Sequence, residues 1–226
     1  MISIGSTKVC GFEPSIIGIR NYKSSWADCD SDTANMPRLI DDVEWMDPVE
    51  LGPKDEKFIK ALIKAGKKER SHCKFLRQIQ VWANITAPRM WWQEYDTYKV
   101  GTSAQSTSTM NSLLDGKKEF SLEDFSIPER CTSIDIFNDI IRRLNQFKKM
   151  FNAAETQEEK DKWREEAKAI LPESFNQMRT VNLNYEVLSN MYRNRRNHRM
   201  KEWKTFCDWI ERLPLSWMIT GSAKED

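Results

Sequence analysis

Residues 74–110, KFLRQIQVWANITAPRMWWQEYDTYKVGTSAQSTSTM, constrain the fold most, because three different local signals follow one another without a gap. Phe75 to Ile85 is apolar-rich, with β-branched and aromatic members in partial alternation, and predicts a strand. Thr86-Ala87-Pro88 stops it. Thr86 can cap a helix and Pro88 suits a first helical turn. A helix is expected from Pro88 to about Lys99, with Trp91, Tyr95 and Tyr98 on one face by i, i+4, i+7 spacing. Gly101 to Thr109 then carries hydroxyls and no large apolar side chain. Such a run suits a ligand loop, since hydroxyls and backbone N–H groups can hold a phosphate or a ring edge. From composition alone an ordinary Ser/Thr surface loop is the favoured reading.

The chain has 226 residues, ample for one large domain with its own core. A single domain over 1–226 is expected, with an irregular part over 1–53, a helix-strand-helix-loop core over 54–110 and a helical part over 132–212. Lys plus Arg number 35 and Asp plus Glu 34, so no global basic field points to nucleic acid. Nine Trp suggest core, interface or ring-stacking sites. The five Cys are scattered without a CxxC pair, which supports neither a zinc knuckle nor a disulfide framework and suits a reducing cytosol. No apolar window is long enough for a membrane span and Met1 opens no signal pattern, so a soluble cytoplasmic protein is expected.

In chain order, a strand is expected around Val9, followed by a short segment FEPSIIGIRN. Residues 23–56 are expected to be a long, partly irregular excursion with one short helix at most, and Trp26 and Trp45 as isolated anchors. Lys54 to Ala65 predicts a helix striped by Phe58, Ile59, Leu62 and Ile63 and ended by Gly66. Lys64, Lys67, Lys68 and Arg70 cluster at its C-terminal end, where the helix dipole favours them without any ligand. Ser133 can cap a helix with the stripe Phe137, Ile140, Ile141, Leu144, Phe147 and Phe151. Thr156-x-x-Glu159 is a capping box for a helix running to about Ile170. Further helices are expected from about Glu173 or later to Asn194 and from His198 to Arg212, the latter striped by Trp203, Phe206, Trp209 and Ile210. The tail after Trp217 is expected to fray. Strands in the first half and helices in the second give an α+β class, with a mixed or antiparallel sheet packed by helices.

With two histidines and no HExxH, GxSxG, P-loop or GxGxxG, metal-assisted or nucleophilic hydrolysis has no support. The strongest polar cluster is Arg193-Asn194-Arg195-Arg196-Asn197-His198-Arg199. Four arginines in seven residues can clamp phosphate through guanidinium forks; a solvated helix end accounts for them as well.

ITAPRMWWQEYDTYKVGTSAQSTSTM resembles the signature region of the flavin-dependent thymidylate synthases (thymidylate synthase complementing proteins). There a strand ending in I-x-A-P leads through a helix to R-H-R-x-x-S-x-N-E-x-S-x-R-Y. Aligned from Ile85 and Pro88, the R-H-R falls on Thr97, Tyr98 and Lys99 and the first serine on Thr102. The N-E pair falls on Ala104 and Gln105, the second serine on Thr107, and the final R-Y on Thr109 and Met110. Hydroxyls and spacing are kept; the arginines, the histidine and the acid are not. LIKAGKKERSHCKFLRQIQV is similar to the family's incoming helix and strand, placing its histidine on Gln78. EEAKAILP is similar to A-R-x-x-L-P, placing an arginine on Lys168. VNLNYEVLSNMYRNRRNH is similar to V-N-x-R followed by L-R and a nearby H. That places the flavin-contacting asparagine on Asn182, the next arginine on Asn184 and the dUMP-binding arginine on Arg193, and, with one residue inserted, the later histidine on His198.

The resemblance covers residues 55–210 in order. It implies a complementing-protein-like fold and a homotetramer with shared sites. It implies FAD as cofactor, held by Gln78, Tyr98, Lys99, Asn182 and His198. It implies a deoxyuridine nucleotide as partner, held by Thr102, Gln105, Thr107, Lys168, Arg193 and Arg195. NADPH and methylenetetrahydrofolate would be co-substrates in methylating dUMP to dTMP. It further implies that Arg193 and Lys168 lie close together and face the Gly101–Thr109 loop in the assembled protein. The lost R-H-R leaves open a catalytically silent relative that binds a nucleotide or a protein partner. A plain helical interaction protein explains the aromatics but not the ordered matches.

Overall fold

The computed structural model describes residues 2–32, 43–46, 50–116 and 118–221, with only the backbone considered over 43–46. Five strands form one sheet in the order β2-β1-β3-β5-β4. They are β1 (Ser3–Cys10), β2 (Val43–Met46), β3 (Gln80–Pro88), β4 (Ser103–Ser106) and β5 (Asn176–Asn184). β1 and β2 pair in parallel, with Thr7 opposite Val43 and Val9 opposite Met46. β3 and β5 run antiparallel: the Tyr185 N–H donates to the Ile79 carbonyl at one end, and the Arg89 N–H to the Phe175 carbonyl at the other. The sheet is therefore mixed, and with the helices it gives the expected α+β class. Among the described residues no helix is long and apolar enough to cross a membrane.

The chain divides into two compact units, each fed by several segments. One comprises Met1–Ser3, Thr86–Tyr95 and Gln105–Arg179. It contains α3 (Arg89–Tyr95), α4 (Ile134–Ala153) and α5 (Gln157–Ala169). Leu113, Leu114, Phe125, Leu144, Phe151, Ala167 and Leu171 form a core cluster there, which matches the expected inward edge of the α4 stripe. Trp91, Trp92 and Tyr95 are buried against one another, and the Trp92 indole donates to the Gln177 carbonyl at 2.9 Å. The Thr156 capping box forms as expected: its hydroxyl accepts from the Glu159 N–H, and the Glu159 carboxylate accepts from the Thr156 N–H. Ser133 stands at the N-cap of α4 but its side chain makes no capping bond.

The other unit comprises Ile4–Ile85, Asp96–Ala104 and Thr180–Asp226. It holds α1 (Phe12–Arg20), α2 (Pro53–Gly66), a 3-10 segment (Arg70–Arg77), α6 (Tyr185–Arg195), α7 (Lys201–Glu211) and α8 (Trp217–Thr220). Its buried residues include Val81, Ala83 and Ile85 of β3 and Phe12, Ile16, Tyr185, Trp203 and Phe206, with Phe12 edge-on to Tyr185 and Trp203 edge-on to Phe206. A paired-aspartate clamp fastens the start of α2. Asp30 accepts from the Lys54 and Asp55 N–H groups, capping the helix from outside it. Asp55, fully buried, accepts from the Asp30 and Ser31 N–H groups, the Ser31 hydroxyl and the Arg20 guanidinium. Burial pushes the Asp55 pKa up, but its bonds from Ser31, Arg20, Cys29 and the Asp30 N–H outweigh that and hold it at about 2.

Several expectations are corrected. Phe75 to Ile79 is not strand: Cys73, Phe75 and Leu76 point inward from the 3-10 segment, and β3 begins at Gln80. β3 then runs through Thr86 to Pro88, so Thr86 caps nothing and Pro88 ends a strand. α3 stops at Tyr95, which leaves Tyr98 beyond the helix. The segment around 176–184 is β5 rather than helix, and α6 starts only at Tyr185. FEPSIIGIR is a full α-helix. Trp26 anchors no core; it is half exposed and donates to Asn21. The side chain of Trp45 lies outside the described residues. Trp217 opens α8 instead of a frayed tail, and residues 222–226 lie outside the described range.

Candidate functional site: a cationic recess beside α6

Within the second unit, three elements deliver cations to one recess of about 180 Å³. Lys67 comes from the C-cap of α2 and Arg70 from the start of the 3-10 segment. Arg193 comes from the last turn of α6, two turns on from its N-cap Asn184, whose side chain accepts the Val187 N–H at 3.0 Å. Ile63, Cys73, Leu76, Ser189 and the end of α8 complete the wall. Arg193 leans back along its own helix, with Nε donating to the Ser189 carbonyl at 3.3 Å. Burial lowers its pKa, and the neighbouring Arg70 charge lowers it further. The Cys73 thiol is pushed up by burial despite Arg70 and Arg193 nearby, so it is a neutral thiol at pH 7 and no nucleophile. Glu186 sits at the rim: it takes Arg77 in an ion pair and lies 3.8 Å from Arg70.

A second cluster surrounds Tyr98. Its hydroxyl accepts from Arg195 Nε at 2.9 Å, its carbonyl accepts from the Thr102 hydroxyl at 2.8 Å, and its ring meets Trp203 edge-on. The Arg195 guanidinium lies over both rings, 4.8 Å from the Trp203 centroid. The loop between Tyr98 and β4 turns at Gly101, where φ is +77° and a Cβ would stand 2.9 Å from Val187. Lys99 is exposed. His198 Nδ1 accepts the Met200 N–H at 3.2 Å. The Asn182 amide donates to Gln80 at 3.3 Å and to the Val81 carbonyl at 3.4 Å. Gln78 is exposed at the C-cap of the 3-10 segment.

Gln105, Thr107 and Lys168 belong to the first unit, and Arg193 and Arg195 to the second. Gln105 is exposed on β4, so the hydroxyl-rich run is in part an edge strand and not a loop throughout. The Thr107 N–H donates to the Met178 carbonyl at 3.0 Å. Lys168 Nζ lies 3.2 Å from Met110 Sδ. The arginine run does not act as one clamp. Arg193 faces the recess and Arg195 the Tyr98 cluster, while Arg196 pairs with Asp208 and Glu211 on α7 and Arg199 is exposed. Lys67, Arg70 and Ser189 are the recess residues that sequence reasoning missed. The basic run after α2 was the only signal of the two cations, and the helix dipole already accounted for it; nothing local marked Ser189.

The α+β unit built on this sheet is the fold of the flavin-dependent thymidylate synthases. A structure of thymidylate synthase X from Helicobacter pylori with FAD and dUMP matches at a TM-score of 0.66 and 14% identity, over 96% of this chain and 96% of that one. A second structure of the Helicobacter pylori enzyme complexed with FAD and dUMP matches at 0.64 and 16% identity with the same coverage. No protein-family model matches the sequence, and no curated protein does.

Proposed function

We propose that this chain is a flavin-dependent thymidylate synthase-like protein that binds dUMP and methylates it to dTMP. Methylenetetrahydrofolate and NADPH are its co-substrates. The observation that carries this reading is Arg193. The residue aligned with the family's dUMP-binding arginine lines a cationic recess on a chain with that family's fold. Lys168, Thr102, Gln105, Thr107 and Arg195 are the other nucleotide residues of this reading.

The cofactor positions suit FAD in their chemistry. Asn182 has its carbonyl oxygen available as an acceptor and Gln78 offers an exposed amide, a donor–acceptor set that matches the polar edge of a flavin ring. The exposed ammonium of Lys99 suits a pyrophosphate, as a point charge without a guanidinium fork. FAD, when bound, supplies the hydride that completes the methyl group. Gln78, Tyr98, Asn182 and His198 orient the ring, and the arginines hold phosphate and draw charge from the pyrimidine.

A silent nucleotide-binding relative is the second reading. It is favoured by Tyr98, which stands where the family histidine falls and whose hydroxyl already accepts from Arg195. Absorbance and melting separate the two. The purified protein should show a flavin band near roughly 450 nm and a higher Tm with dUMP. A colourless protein that cannot be loaded with FAD but is stabilised by dUMP supports the silent relative. No band and no shift at millimolar dUMP or dTMP would remove both readings.

A further inference from the structure

We propose that the recess is an anion site in which Lys67, Arg70 and Arg193 together seat the dianion of a phosphate monoester. It rests on the nucleotide reading above for the identity of that monoester, the phosphate of dUMP. Dipole complementarity explains one cation at the end of α2 and one at the end of α6. It explains neither Arg70, which lies past the end of α2, nor the convergence of all three on one concavity.

Among the described residues the lining contains no carboxylate. Glu186 beside it is shared between Arg77 and Arg70. Three cations against a shared carboxylate leave the recess with an excess of positive charge that a dianion matches. Arg70 and Arg193 repel one another when the recess is vacant, and an anion between them relieves that repulsion. The Ser189 hydroxyl adds a neutral donor. The α2 cluster thus takes on a role its sequence did not require.

Calorimetric titration of the full chain with dUMP, deoxyuridine and inorganic phosphate tests this. Wild type is compared with Lys67→Gln and Arg70→Gln. Lys67 is exposed and its removal leaves Glu186 and its arginine partners untouched, so a folding defect in one variant does not spoil the other. Each substitution should weaken dUMP binding by about tenfold or more and leave any deoxyuridine binding unchanged. Unchanged dUMP affinity in both variants overturns the proposal and leaves the nucleotide reading standing. Binding of inorganic phosphate that both variants lose, without dUMP binding, supports the anion site and overturns the nucleotide reading. Absence of both kinds of binding overturns both.

Discussion

Asp55 and Arg20 are both buried, with side-chain exposures of 0% and 8%, so each needs the other. Removing one partner leaves a bare charge inside, which costs about 3–5 kcal/mol. Asp55→Asn should lower the urea midpoint accordingly; an unchanged midpoint would show that the clamp carries no stability. The pH dependence has a definite sign. The folded pKa of Asp55 is depressed to about 2, so its contribution is complete above the ordinary carboxylate range, about pH 4. It fades as pH falls from there toward 2. Wild type should lose midpoint steeply over that window, and Asp55→Asn should lose less. Nothing local revealed this pair: Asp30 and Asp55 are 25 positions apart, and DCDSD reads as plain loop composition. Lys67 and Arg70 of the recess were equally hidden, because a basic helix end looks the same whether it faces solvent or a pocket.

α2 meets the 3-10 segment where Gly66 backs onto Cys73. A Cβ on Gly66 would stand 2.0 Å from Cys73 Sγ. Gly66→Ala should therefore destabilise by about 1–3 kcal/mol through overpacking. Gly66→Ala with Cys73→Ala should recover part of that loss, a coupling read from the four denaturation midpoints; strictly additive effects would place the strain elsewhere. Elements with a full apolar stripe were legible. α7 buries Trp203, Phe206, Trp209 and Ile210 as their spacing requires. β5 was not legible, because NQMRTVNLN buries only Val181, Leu183 and Asn184 and otherwise shows polar side chains and an exposed Met178. The Val181-Leu183-Tyr185 alternation and the capping residue Asn184 were the signals available. The 3-10 segment imitated a strand because its apolar members run directly into those of β3.

At the scale of the whole molecule the α+β class was legible, since β1, β3 and the later helices each announce themselves. The sheet order β2-β1-β3-β5-β4 was not, because it joins strands far apart in sequence. The same fold persists at 14–16% identity, so alternation and burial, more than particular side chains, specify it. We expect a homotetramer, the assembly the family resemblance implies, and light scattering at micromolar concentration should give four times the chain mass. A monomer would argue against sites shared between subunits. The aspartate clamp carries a consequence for motion. Each aspartate holds the other's backbone, so the Asp30–Ser31 stretch cannot lift without uncapping α2, and α2 cannot fray from its start without releasing that stretch. The amide protons of Asp30, Ser31, Lys54 and Asp55 should therefore exchange with solvent deuterium at one common rate, as a single opening unit spanning loop and helix. Loop-like exchange at Asp30 and Ser31 beside protected Lys54 and Asp55 would mean that the two sides open independently.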